Sequence, residues 1–226
     1  MRLQLFTFTS LATCLLALAG LPASAATLAE RLQASAPDAS AQVITLAVEA
    51  MQCAVADGMP SSERLAVIDY SLPSTTPRLW VFNLGDAALL FHELVAHGRN
   101  SGENMTTHFS NTLNSRATSI GLFRTRETYQ GSNGYSLRMD GLEPGVNDKA
   151  MERAIVMHGA PYVNASVAEK MGRLGRSWGC PAVRMGVAKR LIDTLKGGQF
   201  VFSYYPDQKW LGSSRYLNCP LQTAGR

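Results

Sequence analysis

From Leu65 onward the chain is cut into short apolar runs by glycine, proline and asparagine. No other feature limits its folding options as much. LAVIDYS (65–71), RLWVF (78–82), ALLFHELVAH (88–97), SIGLFRT (119–125), GYSLRM (134–139), RAIVMHG (153–159) and FVFSYY (200–205) are rich in leucine, β-branched and aromatic side chains. Runs of that kind bounded by turn residues read as strands. Asn83-Leu84-Gly85-Asp86 reads as the hairpin turn between the second and third. Two stretches carry a helical period instead. Ser40 to Ala56 has Ser40 as an N-cap and Gly58 as a stop, and Val183, Val187, Leu191 and Leu195 recur every four residues before Gly197-Gly198. The expected fold is mainly β, a sandwich or barrel with peripheral helices.

The first residues predict export. Met1-Arg2 is a short positive start, Leu3 to Leu21 is almost wholly apolar or small, and Ala23-Ser24-Ala25 fits a small-x-small cleavage site. Residues 1–25 therefore read as a secretory signal peptide. Residues 26–60 read as an N-terminal helical extension, and residues 61–226 as one catalytic domain. No integral membrane segment is expected after cleavage, and the chain is expected to act as a monomer in the periplasm or cell wall. The formal net charge of +4 suits an anionic polymer such as a cell wall. No dense lysine or arginine run points to nucleic acid.

Cys14 leaves with the signal, so Cys53, Cys180 and Cys219 remain. Thiols tend to pair in an oxidising compartment, and an odd count leaves one over. Three pairings are open. A Cys53–Cys219 bridge would tie an early helix to the end of the chain and is the pairing expected, with Cys180 left over.

HELVAH, His92 to His97, invites a zinc reading. Metalloprotease helices place two histidines four apart on one face. Here they are five apart, which is about 140° of rotation on a helix and opposite faces on a strand. His92 and His97 are expected to be surface or structural groups, and His108 to be solvated. Neither a metal nor an organic cofactor is expected.

His158 and Cys180 carry a different signal. His158 ends the apolar run Ala154-Ile155-Val156-Met157 and precedes Gly159, so a rigid element holds it facing a loop. Cys180 lies in RSWGCPAV, between a glycine that permits unusual dihedrals and a proline that fixes the next turn. A helix starting soon afterwards, and Arg176 and Arg184 nearby, are expected to favour thiolate. With a histidine base in reach, this is the arrangement of an activated thiol nucleophile. Free amides at Gly179 and Cys180 are expected to form an oxyanion hole.

The ordered set TSIGLF (118–123), IVMHGA (155–160) and SWGC (177–180) resembles the L,D-transpeptidases of the YkuD type, with their T-P-x-G-x-F strand, strand-end H-G and S-H-G-C. DYSLPS, RLWVF, LVAHGRNSG, GLEPGVND, MHGAPYV and GRSWGCPAV resemble a variant branch of murein L,D-transpeptidase catalytic domains. The resemblance spans about Leu65 to Tyr205 and implies the YkuD-type, barrel-like catalytic fold. It also implies Cys180 as nucleophile, His158 as base, the Gly159 carbonyl orienting that base, and peptidoglycan stem peptides as substrate. Ser177, Trp178, Arg176 and Arg184 are the implied substrate-binding residues. Ser119 stands where the family has proline, Trp178 where it has histidine, and Ala182 where it has arginine, with Arg184 the nearest replacement. The expected activity is an acyl-thioester transfer. Hydrolysis on the same substrate, as a carboxypeptidase or endopeptidase, and non-catalytic wall binding are the alternatives.

Overall fold

The computed structural model describes residues 25–219. Apart from Ala25, the signal-peptide reading lies outside the described residues. Helix α1 (Leu28–Ser35) opens with a capping box. The Glu30 N–H donates to Thr27 Oγ1 at 3.2 Å, and the Thr27 N–H donates to Glu30 Oε2 at 2.7 Å. Helix α2 (Ala41–Ala56) begins after Ser40, whose side chain makes no cap bond, and stops before Gly58 at φ +95°.

Nine strands follow: β1 (Arg64–Asp69), β2 (Leu79–Asn83), β3 (Leu89–Glu93), β4 (Val95–Ala96), β5 (Gly121–Gly131), β6 (Gly134–Gly141), β7 (Val156–Ala160), β8 (Ala182–Arg184) and β9 (Phe200–Tyr204). Helices α3 (Ala165–Met171), α4 (Met185–Leu195) and α5 (Gln208–Ser213) complete the described elements. All nine strands form one sheet in the order β3-β2-β1-β9-β5-β6-β7-β8-β4. Pairs β1–β9 and β7–β8 are parallel; the others are antiparallel. Only Leu94 separates the two edge strands in the chain, so the sheet must curl until its ends nearly meet. ALLFHELVAH is thus two strands instead of one, broken where the chain passes from one edge to the other.

The closure has its own fastenings. Arg184 at the end of β8 holds Glu93 at the end of β3 through two bonds of 2.7 Å. Beneath β4, the fully buried Arg78 donates to Val95 O at 3.2 and 3.0 Å and to Leu72 O at 2.6 Å.

The central strands are buried on both faces, which explains their continuous apolar runs. Leu65, Val67, Trp80, Phe82, Phe200 and Phe202 pack against α1 and α2, while Ala66, Ile68, Leu79, Val81 and Val201 pack against α4 on the other face. Val183 belongs to β8, so α4 begins only at Met185. A strand intervenes because β8 must pair with both β7 and β4 before the chain turns inward. Cys53 of α2 is bridged to Cys219, beyond α5, across a sequence separation of 166. Among the described residues no helix is long and apolar enough to cross a membrane.

Candidate active site

Strand alternation aims the histidine. Met157 points into the cluster around α4, so His158 faces the other side of β7. His158 lies opposite Ala182 in the parallel β7–β8 pair, which brings Cys180, two residues before Ala182, to the same end.

The cysteine turn is held by the segment after β4. The Ser177 N–H donates to His97 O at 2.9 Å, the Arg99 N–H donates to Ser177 O at 2.8 Å, and Gly98 forms an isolated bridge with Ser177. The end of HELVAH is therefore scaffold for the cysteine. His97 is buried between Arg78 Nη2, at 2.8 Å from its Nδ1, and Gly102 O, at 3.3 Å from its Nε2. Burial and the Arg78 charge push His97 down to about 4, so it is neutral. His92 stacks on Trp80 with centroids 5.1 Å apart, and His108 is exposed.

Gly179 adopts φ +123°, and a Cβ there would lie 2.8 Å from Ala117 O and 3.0 Å from Ile155 Cδ1. Glycine is required for both reasons. The Ser177 hydroxyl donates to Cys180 O at 2.6 Å and accepts the Gly179 N–H at 3.0 Å. The oxyanion expectation is corrected accordingly. The Gly179 amide is already engaged, because Ser177 folds back over the tight turn. No acceptor from another described residue meets the Cys180 amide.

Cys180 is 7% exposed, and its thiol meets two backbone groups. It accepts the Val156 N–H at 3.4 Å and donates to Ala154 O at 3.6 Å. Burial pushes the Cys180 thiol above its ordinary range, against the opposing pull of the Val156 N–H and the Arg153 charge. Burial thus works against the expected thiolate bias. Strand β8 separates the sulfur from the start of α4. Arg176 is bound to Glu103 at 2.7 Å and Gly102 O at 2.9 Å, and Arg184 is held by Glu93. The cation that acts on the thiol is Arg153, the first residue of the RAIVMHG run, to which sequence reasoning assigned no role of its own.

His158 Nδ1 lies 3.0 Å from Gly159 O. A carbonyl only accepts, so Nδ1 carries the proton and Nε2 presents its lone pair. Burial holds the imidazole below its ordinary range, with the Gly159 carbonyl pulling the other way. The resting pair is a neutral thiol and a neutral imidazole. No hydrogen bond links them, since the thiol's partners are Val156 and Ala154.

His158, Cys180, Arg176, Ser177, Trp178 and Tyr162 line one pocket of about 360 Å³, joined by Ser132 and Asn133 of the β5–β6 turn. Arg184 is absent from its lining. Burial pushes the Tyr162 phenol up to about 12, so it remains a hydrogen-bond donor. Sequence reasoning missed Tyr162 and Arg153. Tyr162 lies four residues beyond His158 and could have been found by proximity, whereas Arg153 carries no spacing signal. A larger cavity, about 710 Å³, lies around Arg124, Thr125 and Lys196 and holds neither Cys180 nor His158.

Residues 35–204 match the family model described as L,D-transpeptidase catalytic domain. No curated protein matches the chain. Among solved structures, it is similar to an L,D-transpeptidase from Mycobacterium smegmatis at 15% identity and a TM-score of 0.39, over 64% of this chain and 60% of that one. It is similar to an L,D-transpeptidase from Stackebrandtia nassauensis at 14% identity and a TM-score of 0.38, over 77% of this chain and 75% of that one. The helical cell shape determining protein Pgp2 from Campylobacter jejuni is similar at 12% identity and a TM-score of 0.41, over 70% of this chain and 56% of that one.

Proposed function

This chain belongs to the L,D-transpeptidase catalytic domain family, and from that premise we propose that it is a cysteine acyltransferase acting on peptidoglycan stem peptides outside the cytoplasm. The observation that carries the reading is the shared pocket. Cys180 is the unbridged cysteine of the described residues, and it lines one cavity with a histidine whose tautomer leaves Nε2 free.

The chemistry follows from those groups. The Cys180 side chain turns from Ala154 toward the pocket, and His158 Nε2 takes the thiol proton as sulfur attacks a stem-peptide carbonyl. The Cys180 N–H and the Tyr162 hydroxyl face the developing oxyanion. The carbon–nitrogen bond breaks, His158 returns the proton to the leaving amine, and an acyl-thioester remains. A second amine then attacks that carbonyl, giving its proton to His158 as the carbon–sulfur bond breaks. The proton passes back to the departing sulfur. Ser177 holds the turn that carries the nucleophile, and Trp178 and Arg176 line the route to it.

Purified protein incubated with disaccharide tetrapeptides tests this, with products resolved by mass. Cross-linked dimers are the expected outcome, abolished in Cys180→Ala and His158→Ala. Shortened monomers without dimers establish hydrolysis instead. Intact muropeptide that is bound but unchanged establishes a wall-binding module.

A further inference from the structure

The cavity of about 710 Å³ opens where β5 parts from β9. Pairing with β9 ends at Arg124 and Phe200, and the register of β5 against β6 shifts between Thr125 and Thr128. An irregularity of this kind bends a strand away from its neighbour. Gly197 and Gly198, at φ +79° and +86°, turn the chain back from α4 onto that bend. Their N–H groups donate to Arg126 O at 3.2 Å and Thr125 O at 3.1 Å. Met59, Pro60 and Leu142 supply the apolar wall.

The charges lining the cavity do not balance. Arg126 is paired with Asp140 at 3.3 Å, and Glu127 with Arg138 at 3.2 Å. Lys196 shares Asp193, at 2.9 Å, with Lys189, at 2.6 Å, so two cations meet one anion there. Arg124 has no carboxylate partner among the described residues. Its guanidinium donates to two neutral carbonyls, Pro60 O at 2.8 Å and Ser61 O at 3.3 Å, which engages two of the five N–H groups an arginine carries. That guanidinium is also fixed in place. It lies 4.3 Å over the Phe200 ring, and a Cβ on Gly198 would come within 3.2 Å of its Nη2 and 3.3 Å of its Nε. Glycine there lets the main chain close on the cation. The carbonyls at the end of α4, which would repel an anion, are already engaged. Leu195 O accepts the Thr125 hydroxyl at 2.6 Å, and Ile192 O accepts the Lys196 N–H at 2.9 Å.

We propose that this cavity binds an organic oxyanion, a carboxylate or a phosphate ester carrying an aliphatic tail, at a site separate from Cys180. A fixed guanidinium fork matches two oxygens of such a group. Lys196 adds a second cation, and Met59, Pro60 and Leu142 take the tail. Binding there does not depend on the reading of Cys180 as nucleophile.

Titration of the purified protein with hexanoate, butyl phosphate and hexanamide tests this, followed through the amide resonances of Gly197 and Gly198. One or both anions are expected to shift these resonances, and the tighter of the two identifies the source of the oxyanion. Hexanamide keeps the tail and lacks the charge, so it is expected to bind at least about tenfold more weakly. Arg124→Lys keeps the charge but loses the fork, and should weaken anion binding about fivefold. Lys196→Gln should weaken it about threefold; that side chain is half-exposed, so folding is spared. Cys180→Ala should bind as wild type does. Hexanamide binding as tightly as the anions, anions that leave Gly197 and Gly198 unmoved, or either cation variant binding as wild type does would each overturn the proposal. Loss of binding in Cys180→Ala would overturn it as well, by placing the anion in the other pocket.

Discussion

Burial acts in opposite directions on the two groups that exchange a proton in the proposed reaction. It raises the Cys180 thiol and lowers the His158 imidazole, so each is neutral where the other is neutral. The working form needs a deprotonated Nε2 and a proton still available for the leaving amine. kcat/KM should rise with pH along an acid limb set below the ordinary imidazole value of about 6.5, then stay flat through neutrality. Alkylation by iodoacetamide reports thiolate directly. Its rate should climb only on the alkaline side of the ordinary thiol range. An alkylation rate already at its plateau below neutral pH would mean a preformed thiolate–imidazolium pair and would overturn this account. Arg153→Met should shift the alkylation curve to still higher pH, since that guanidinium favours the thiolate.

At the scale of elements, β7 carries the proposed base and α4 supports β7 from behind. Gly159 makes that contact possible, because a Cβ there would lie 2.8 Å from Ala188 Cβ and 3.0 Å from Met185 Sδ. The Met185 side chain can move aside; the Ala188 methyl cannot without moving α4. Gly159→Ala should therefore destabilise the fold by about 1–3 kcal/mol, as overpacked cores do. It should also reduce turnover, because the Gly159 carbonyl that orients His158 shifts with it. Ala188→Gly removes the opposing methyl. The double variant should regain much of both losses, read by urea unfolding and by product formation. A double variant no better than Gly159→Ala would show that the clash lies elsewhere.

Across the whole molecule, the seam of the curled sheet depends on groups far apart in the chain. Glu93 and Arg184 meet across it in a two-bond pair, with the arginine side chain 42% exposed and the glutamate 9%. Partial solvation limits its value to about 1 kcal/mol. Glu93→Gln and Arg184→Met should each cost that order of stability, and the double variant should cost little more than either single one. Neither should change KM for the muropeptide, because Arg184 stands outside the pocket. Additive losses would refute the coupling, and a raised KM confined to Arg184→Met would restore the arginine to substrate binding.

Strands, the two longer helices and the cysteine turn were legible in the residues themselves, because they rest on local causes. Side-chain period separates strand from helix, and Gly179-Cys180-Pro181 writes a constrained turn within three residues. HELVAH, by its five-residue spacing, argued against a zinc grip. Its real task, bracing Ser177, depends on contacts between residues about 80 positions apart. The same holds for the break at Leu94, which exists because the sheet closes there. Which amide stays free, which arginine acts on the thiol and which strand intervenes before α4 were also decided in three dimensions. Each depends on the low dielectric and fixed geometry that packing creates between distant segments. The residues named a cysteine and a histidine, and the tertiary structure decided that both rest uncharged and unpaired in one pocket.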